Sequence, residues 1–425
     1  MKIICGTKEH PFAANGQELD VILYGYPAVN TQGSAGATIV EDVERQKLQP
    51  SQRAWDLLSL ALSVTAADVA GIRAKSPDGW TRQLALDIAV SEPDFWNTQT
   101  EQIAELLAFL TTDLWEVRFV GGGMVPKPPK NPVFPAEDCV MLLSGGLDSF
   151  IGGIDLVGKN MRPFAVSQTV RGDAEIQRSF TQLLGGGLRH LQLNHNATVP
   201  NPENPPSQRA RSLIFIAYGL LAATSLWMYG NGAVVNLYVS ENGFISINPP
   251  LTGARLGSLS TRTTHPVFMR LLQALLDAAG FRVRIVNPYQ FDTKGEMLRN
   301  CADQAVLRGH AYRTTSCGRF KRFGYRHCGR CVPCLVRRAA FQAAGHDDAT
   351  EYVYSDLGRN EGDYSGFDDV RAIAMALAES KSSGFERWLG TALSTALLSD
   401  IAPYQRTVER GLEELGTLLK LHGVA

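Results

Sequence analysis

Two stretches of this 425-residue chain carry residue types and spacings that can do chemistry. The first is Leu143-Ser144-Gly145-Gly146-Leu147-Asp148-Ser149. It closes a short apolar run, Cys139-Val140-Met141-Leu142-Leu143, of buried-strand type, and the chain from Asp148 onward reads as a helix. Two adjacent glycines let backbone amides approach an anion with no Cβ in the way. The start of the following helix adds free N–H groups and the positive end of its dipole. Ser144 and Ser149 can each donate a hydroxyl hydrogen bond, and Asp148 can hold Mg²⁺ or brace the loop. Ser144, Gly145, Gly146, Leu147, Asp148 and Ser149 are therefore expected to cradle the phosphates of a nucleotide. The loop is not of Walker A type, because the lysine of that motif is missing.

The second stretch is Cys317-x10-Cys328-x2-Cys331-x2-Cys334. Two overlapping CxxC units make a tight knuckle, and the more distant Cys317 can close a tetrahedron around zinc. An iron–sulfur cluster also uses closely spaced cysteines. Four thiolates leave no open position for water, so the site is expected to be structural. Cys5, Cys139 and Cys301 read as buried free thiols. Between Gln304 and His346 there is no acid but nine Lys or Arg. Part of that charge offsets the −2 of a zinc tetrathiolate; the rest is either a solvated face or a surface for phosphates or nucleic acid.

The elements that must position these groups fall into three stretches. Val125–Pro135 has five prolines in eleven residues and reads as a stiff linker. Ahead of it, residues 1–124 mix strand-like runs (Val21–Tyr24, Leu84–Val90) with helices over Trp55–Val64 and Gln99–Thr111, an expected N-terminal α+β accessory domain. Asp68 and Asp94, acids beside apolar runs, read as helix ends and turns. Behind the linker, residues 136–346 alternate strand and helix. Strands are expected at Pro163–Ser167, Ala233–Val239 and Val283–Val286, and helices at Ile176–Leu184, Leu213–Tyr229 and Val267–Ala279. Pro200–Pro206 reads as a surface loop. Repeated βα units imply an α/β fold with a doubly wound parallel sheet. Residues 347–425 form a C-terminal extension, helical over about 368–421. No internal repeat is apparent.

Composition narrows the class. Lys plus Arg is 41 and Asp plus Glu 42, a formal charge of −1, which excludes a globally basic nucleic-acid coat and an acidic disordered chain. The uncharged run Leu213–Tyr229 sits at the short limit for a membrane span of ~17–25 residues, but arginines precede it and a β-like run follows. It reads as a buried helix. The N-terminus lacks the pattern of a signal peptide. A cytoplasmic protein in a reducing compartment, with no membrane partner, is the expectation.

The SGGxDS string between a strand and a helix resembles the PP-loop of the ATP pyrophosphatases. With four cysteines late in the same domain, residues of roughly 138–345 resemble 7-cyano-7-deazaguanine synthase. The resemblance implies an adenine nucleotide α-hydrolase-like sheet, with ATP, Mg²⁺ and Zn²⁺ as cofactors. It places Arg171 and Glu175 after the second strand, with Arg171 on the nucleotide. Arg211 stands before an apolar helix, Glu241 ends a strand, and Lys294-Gly295-Glu296 precedes the cysteines. On this likeness Asp148, Lys294 and Arg211 carry catalysis, Glu241, Asn242 and Arg262 bind substrate, and Cys317, Cys328, Cys331 and Cys334 hold the metal. The chain departs from the family where Ser167-Gln168-Thr169-Val170-Arg171 stands, at Ser212, and over Ser258–His265. His265, before Pro266, reads as a turn residue and not a general base. The extra N-terminal domain and helical tail resemble the synthase-like components of Qat-type and related CBASS-type anti-phage operons. That implies a deazaguanine-type substrate and operon-encoded protein partners.

The implied reaction is adenylation of a 7-carboxy-7-deazaguanine-type carboxylate, with loss of pyrophosphate, then attack by ammonia or by an amine of a partner protein. Two other readings stand beside it. One is a PP-loop tRNA-modifying enzyme that grips nucleic acid with the basic knuckle. The other is a non-catalytic nucleotide-sensing scaffold in a defence complex.

Overall fold

The computed structural model describes residues 1–12, 18–169, 172–203, 209–252, 262–358, 369–393, 397–398 and 400–424. Its first unit holds β1 (Lys2–Gly6), β2 (Leu19–Leu23), β3 (Gly33–Ala35), α1 (Ile39–Arg45), α2 (Gln52–Ala70), β4 (Gln83–Ala89), α3 (Pro93–Asn97), α4 (Thr100–Thr111) and β5 (Leu114–Val120). The second holds β6 (Cys139–Leu142), α5 (Leu147–Gly158), β7 (Pro163–Gln168), α6 (Ala174–Leu183), β8 (His190–Leu193), α7 (Arg211–Ser225), α8 (Trp227–Gly230), β9 (Val235–Tyr238), α9 (Gly243–Ile247), α10 (Pro266–Ala278) and β10 (Val283–Val286). The remainder is helical: α11 (Lys294–Asn300), α12 (Gln304–His310), α13 (Val332–Ala344), α14 (Asp369–Ser382), α15 (Phe385–Leu393) and α16 (Ala402–Leu421).

The second sheet is all parallel, in the order β10-β9-β6-β7-β8. Alternate residues of β6 explain its two covered faces. Val140 and Leu142 join one core with the residues of α7 and α10, while Met141 and Leu143 join another with Phe150, Ile154 and Phe180 of α5 and α6. The order reverses between β6 and β9, and such a switch point opens a crevice at the carboxyl ends of the strands.

The first unit differs from the expected α+β arrangement. Its five strands are also all parallel, in the order β3-β2-β1-β4-β5. Its connections from β1 to β2 and from β2 to β3 show no helix among the described residues, so the βα alternation that marks a parallel sheet is missing from this stretch. Nor do the two units have separate cores. α2 lies against α7, and residues of both sheets share one cluster. Sixteen of the nineteen residues of α2 and twelve of the fifteen of α7 are buried. A helix apolar all round is one enclosed on every side, which accounts for the uncharged run that resembled a membrane span. No helix among the described residues is long and apolar enough to cross a membrane. The proline-rich segment is tied down as well, through Val133 N–H to the Lys47 carbonyl (2.9 Å) and Trp227 N–H to the Pro135 carbonyl (2.9 Å).

The C-terminal helices build a third core with α9 and α13, centred on Phe244, Leu335, Leu389 and Leu415. Helix α16 therefore stands directly behind two elements of the crevice.

Candidate functional site

The loop leaves β6 at the switch point and enters α5. Gly145 has φ +85°, a left-handed conformation that other residues rarely take. Gly146 is the N-cap of α5. The two serines interlock: Ser144 Oγ lies 3.0 Å from Ser149 Oγ, Ser149 Oγ donates to the Gly146 carbonyl (3.0 Å), and Gly146 N–H donates to Ser144 Oγ (3.2 Å). Gln177 of α6 donates to the Ser144 carbonyl (3.3 Å) and Thr315 N–H to the Gly145 carbonyl (3.0 Å). The cradle is braced from both flanks before any ligand arrives. Farther along α5, a Cβ on Gly152 would sit 2.1 Å from Ser240 Oγ, so this glycine lets the helix meet the end of β9.

Two lobes open around the loop, of ≈ 380 Å³ and ≈ 210 Å³. These are sizes suited to a small-molecule site. Ser144, Gly146, Ser149 and Glu241 border both. The larger lobe holds Arg211, Asp173, Thr263 and Thr264; the smaller holds Asp148 and Lys294.

Asp148 is nearly sealed from solvent and fully engaged. Lys294 Nζ donates to its Oδ1, and Asn242 donates to its Oδ2 from Nδ2 (2.7 Å) and from its backbone N–H (3.1 Å). Burial works to raise the Asp148 carboxyl, but the Lys294 ammonium and these donors hold it down at about 2. Glu241 responds in the opposite sense. Burial, then the charge of Asp148, push its carboxyl well above the ordinary range. Asn287 fixes the backbone at Glu241 by donating to its carbonyl (2.8 Å).

Arg211 opens α7 with its side chain at the larger lobe. Among the described residues no hydrogen-bond acceptor faces its guanidinium; only the charge of Asp173 is near, and burial pulls its pKa down. A partly buried cation without an acceptor is suited to an incoming phosphate.

The structure thus brings together the loop, Asp148, Lys294, Arg211 and Glu241. Asn242 is buried and caps α9 while holding Asp148, which makes it a positioning residue in this state. Arg262 turns away from the lobes and donates to the Phe109 carbonyl (3.0 Å) of the first unit. Arg171 lies outside the described residues, as does Ser258–Thr261. Glu175 is exposed in the first turn of α6. His265 caps α10 by accepting from Val267 N–H (3.2 Å), the turn role expected of it.

The four cysteines meet as a buried group whose sulfurs all lie within 4.8 Å of one another. A tetrahedron with metal–sulfur bonds of ~2.3 Å has edges of about 3.8 Å. Cys317 to Cys331 and Cys328 to Cys334 are each 3.9 Å. Backbone N–H groups of Arg319, Cys328 and Cys331 point at cysteine sulfurs at 3.3–3.4 Å, the donors a thiolate cluster needs. The donor set fits, and the group could hold a metal ion. Cys5, Cys139 and Cys301 are buried and free.

Sequence reasoning missed what part of the basic stretch does. Arg337 is fully buried, and its guanidinium donates to Thr314, Ser316, Ala311 and Thr350. Arg330, also buried, donates to the carbonyls of Asp356 and Leu357 (3.0 Å each). Arg337 ties α13 to the segment 314–317, which borders the larger lobe and pins the loop, while Arg330 ties the knuckle to the backbone at 356–357. The absence of any acid partner in the stretch was the available signal, since buried arginines there must donate to carbonyls and hydroxyls.

Among curated proteins the chain is similar to the 7-cyano-7-deazaguanine synthases of Brucella ovis, Brucella canis and Brucella suis. It is 40% identical to each over 77 residues, which is 18% of this chain and 31% of the relative. The matched stretch thus spans about a third of the length of those relatives. No family model matches the chain, and no solved structure matches it significantly. This partial likeness points to the synthase family and to nothing narrower.

Proposed function

We propose that this chain is a PP-loop ligase that adenylates a 7-carboxy-7-deazaguanine-type carboxylate and passes the acyl group to an amine. The observation that carries the proposal is the arrangement at the mouth of α5. A phosphate-type loop faces a cleft in which Arg211 stands without an acceptor and Lys294 is within reach, while Glu241 borders both lobes.

A carboxylate is a poor acyl donor because its leaving group would be oxide. Attack of one carboxylate oxygen on the α-phosphorus of ATP breaks the α–β bond, giving an acyl-adenylate and pyrophosphate. The amides of Gly145 and Leu147, with Arg211, meet the charge that develops on the departing pyrophosphate. Asp148 would hold a Mg²⁺ ion bound with ATP, and that ion would supply neutralisation of phosphate charge. The amine nitrogen then attacks the activated carbonyl, AMP leaves with the bonding pair, and the amine proton passes to solvent. With ammonia the product is an amide; a second activation and loss of AMP would give the nitrile. With an amine of a partner protein, the product is a protein–nucleobase conjugate. The additional helical and N-terminal elements favour the second acceptor, since free ammonia needs no docking surface, and an anti-phage role would follow from the operon type they resemble. Zinc at Cys317, Cys328, Cys331 and Cys334 would be structural, because all four positions of a tetrahedron are taken.

Isotope transfer tests the chemistry. With carboxylate-¹⁸O 7-carboxy-7-deazaguanine, ATP and ammonium, one ¹⁸O should appear in AMP, read by mass spectrometry. Product formed with unlabelled AMP would rule out adenylation.

A further inference from the structure

The two sheets have one topology. Numbered along the chain within each unit, both run 3-2-1-4-5. The longest helix between the third and fourth strands is α2 in one unit and α7 in the other; the longest between the fourth and fifth is α4 in one and α10 in the other. The units meet α2 against α7 and α4 against α10. Each element touches its own counterpart, the signature of an isologous two-fold contact, here made within one chain. At the edges, Ser34 of β3 bridges Thr198, just beyond β8. Ser34 N–H donates to the Thr198 carbonyl (2.8 Å), Thr198 N–H to the Ser34 carbonyl (2.9 Å), and the two hydroxyls lie 3.0 Å apart. What differs is the chemistry after the first strand. β6 runs into Ser144–Ser149, whereas β1 runs into Gly6-Thr7-Lys8-Glu9, with no glycine cradle.

The unit without the loop grips the cleft of the other at two points. Asp68, at the end of α2, accepts from the backbone N–H groups of Arg209 (3.0 Å) and Ala210 (3.3 Å), immediately before Arg211. Asp68 is itself held by Arg82 (2.7 Å), which also pairs with Asp113 (2.6 Å). At the second point, Arg262 donates to the Phe109 carbonyl near the end of α4, with its guanidinium 4.9 Å from the centre of the Phe109 ring. His265 also packs on that ring, at 5.2 Å. Between these two anchors stand Thr263 and Thr264, which border the larger lobe.

We infer that residues 1–124 are a second, loop-less copy of the catalytic sheet, docked like-to-like, and that the Phe109–Arg262 clamp between the copies sets the substrate-side wall of the cleft. Arg262 is then a positioning residue that acts through Thr263 and Thr264. The inference rests on the proposed ligase reading for the identity of the substrate, but not for the clamp itself.

The test uses the full-length chain with Phe109→Ala, Arg262→Ala and Arg262→Lys. In pyrophosphate release with 7-carboxy-7-deazaguanine, both alanine variants should raise KM for the carboxylate about tenfold and leave KM for ATP within twofold. Arg262→Lys, which keeps a donor for the Phe109 carbonyl, should recover part of the loss. A direct contact from Arg262 to substrate would instead leave Phe109→Ala at wild-type KM, and that result overturns the clamp. Hydrogen exchange of the unliganded proteins gives a readout that does not need turnover. Both alanine variants should lose protection over 262–269 and keep it over 143–150. Unchanged exchange at 262–269 overturns the inference even if the chain proves to use another carboxylate, whereas the expected pattern without turnover would fault the substrate and not the clamp.

Discussion

Asp148 and Lys294 act as a pair, and neither can be removed alone without consequence. Each is buried, and taking one partner from a buried ion pair strands the other at a cost of ~3–5 kcal/mol. Lys294→Met should therefore abolish pyrophosphate release and also lower stability by that amount, read as a fall in the urea midpoint at constant m. Asp148→Asn keeps an acceptor for Asn242 and removes only the charge, so it separates the catalytic from the structural loss better than alanine does. Behind Lys294, Thr293 donates to Glu414 of α16, whose carboxyl burial pushes up to about 7. A carboxyl whose folded value lies above its unfolded ~4.3 contributes fully below that pH and loses its contribution as pH rises through about 7. Glu414→Gln should match the wild type at pH 4 and exceed it at pH 8 by roughly 1–2 kcal/mol, allowing for partial solvent screening. Thermal melts across pH 4–9 check the crossover.

At the scale of elements, the knuckle and the loop are one device. Thr315 N–H holds the Gly145 carbonyl, and Cys317 follows two residues later on the same wall of the cleft. Breaking the cysteine group should loosen both. Cys328→Ser should lower the zinc content, measured by mass spectrometry of the metal, from one per chain toward zero, and should weaken ATP binding in calorimetry at least tenfold. Intact ATP affinity in a zinc-free protein would disconnect the two. The loop and the cysteines were legible in the sequence because their signals are local: two glycines between strand and helix, and four thiols within eighteen residues. Four of the five strands of the second sheet were legible for the same reason, as short apolar runs between helical patterns; β8, His190–Leu193, was not expected from the sequence. β5 was not expected, although Leu114-Trp115-Glu116-Val117-Arg118-Phe119-Val120 alternates exposed and buried almost residue by residue. What β5 pairs with is not local. Its parallel partner β4 lies across a helical crossover, so alternation shows a strand but not its place.

The whole molecule was the least legible. A proline-rich segment reads as a boundary, yet the helices on either side of it are enclosed in one core. The run that most resembled a membrane span is charge-free because a helix of the other unit covers its outer face. Likewise, Arg262 carries no mark in the sequence that distinguishes a substrate ligand from a clamp, because Phe109, its partner, is 153 residues away. The same long-range contacts make the first unit part of the cleft's architecture, and α16 does so from the opposite side through Glu414 and through Arg410, which pairs with Glu296 (2.7 Å) on α11. The proposed ligase opens ATP between its α and β phosphates at the loop before α5. Exchange of labelled pyrophosphate into ATP measures that directly. Rapid exchange that requires 7-carboxy-7-deazaguanine and is lost in Asp148→Asn is the expected result; exchange that ignores the carboxylate, or none from a protein that binds both ligands, would contradict the proposed adenylation.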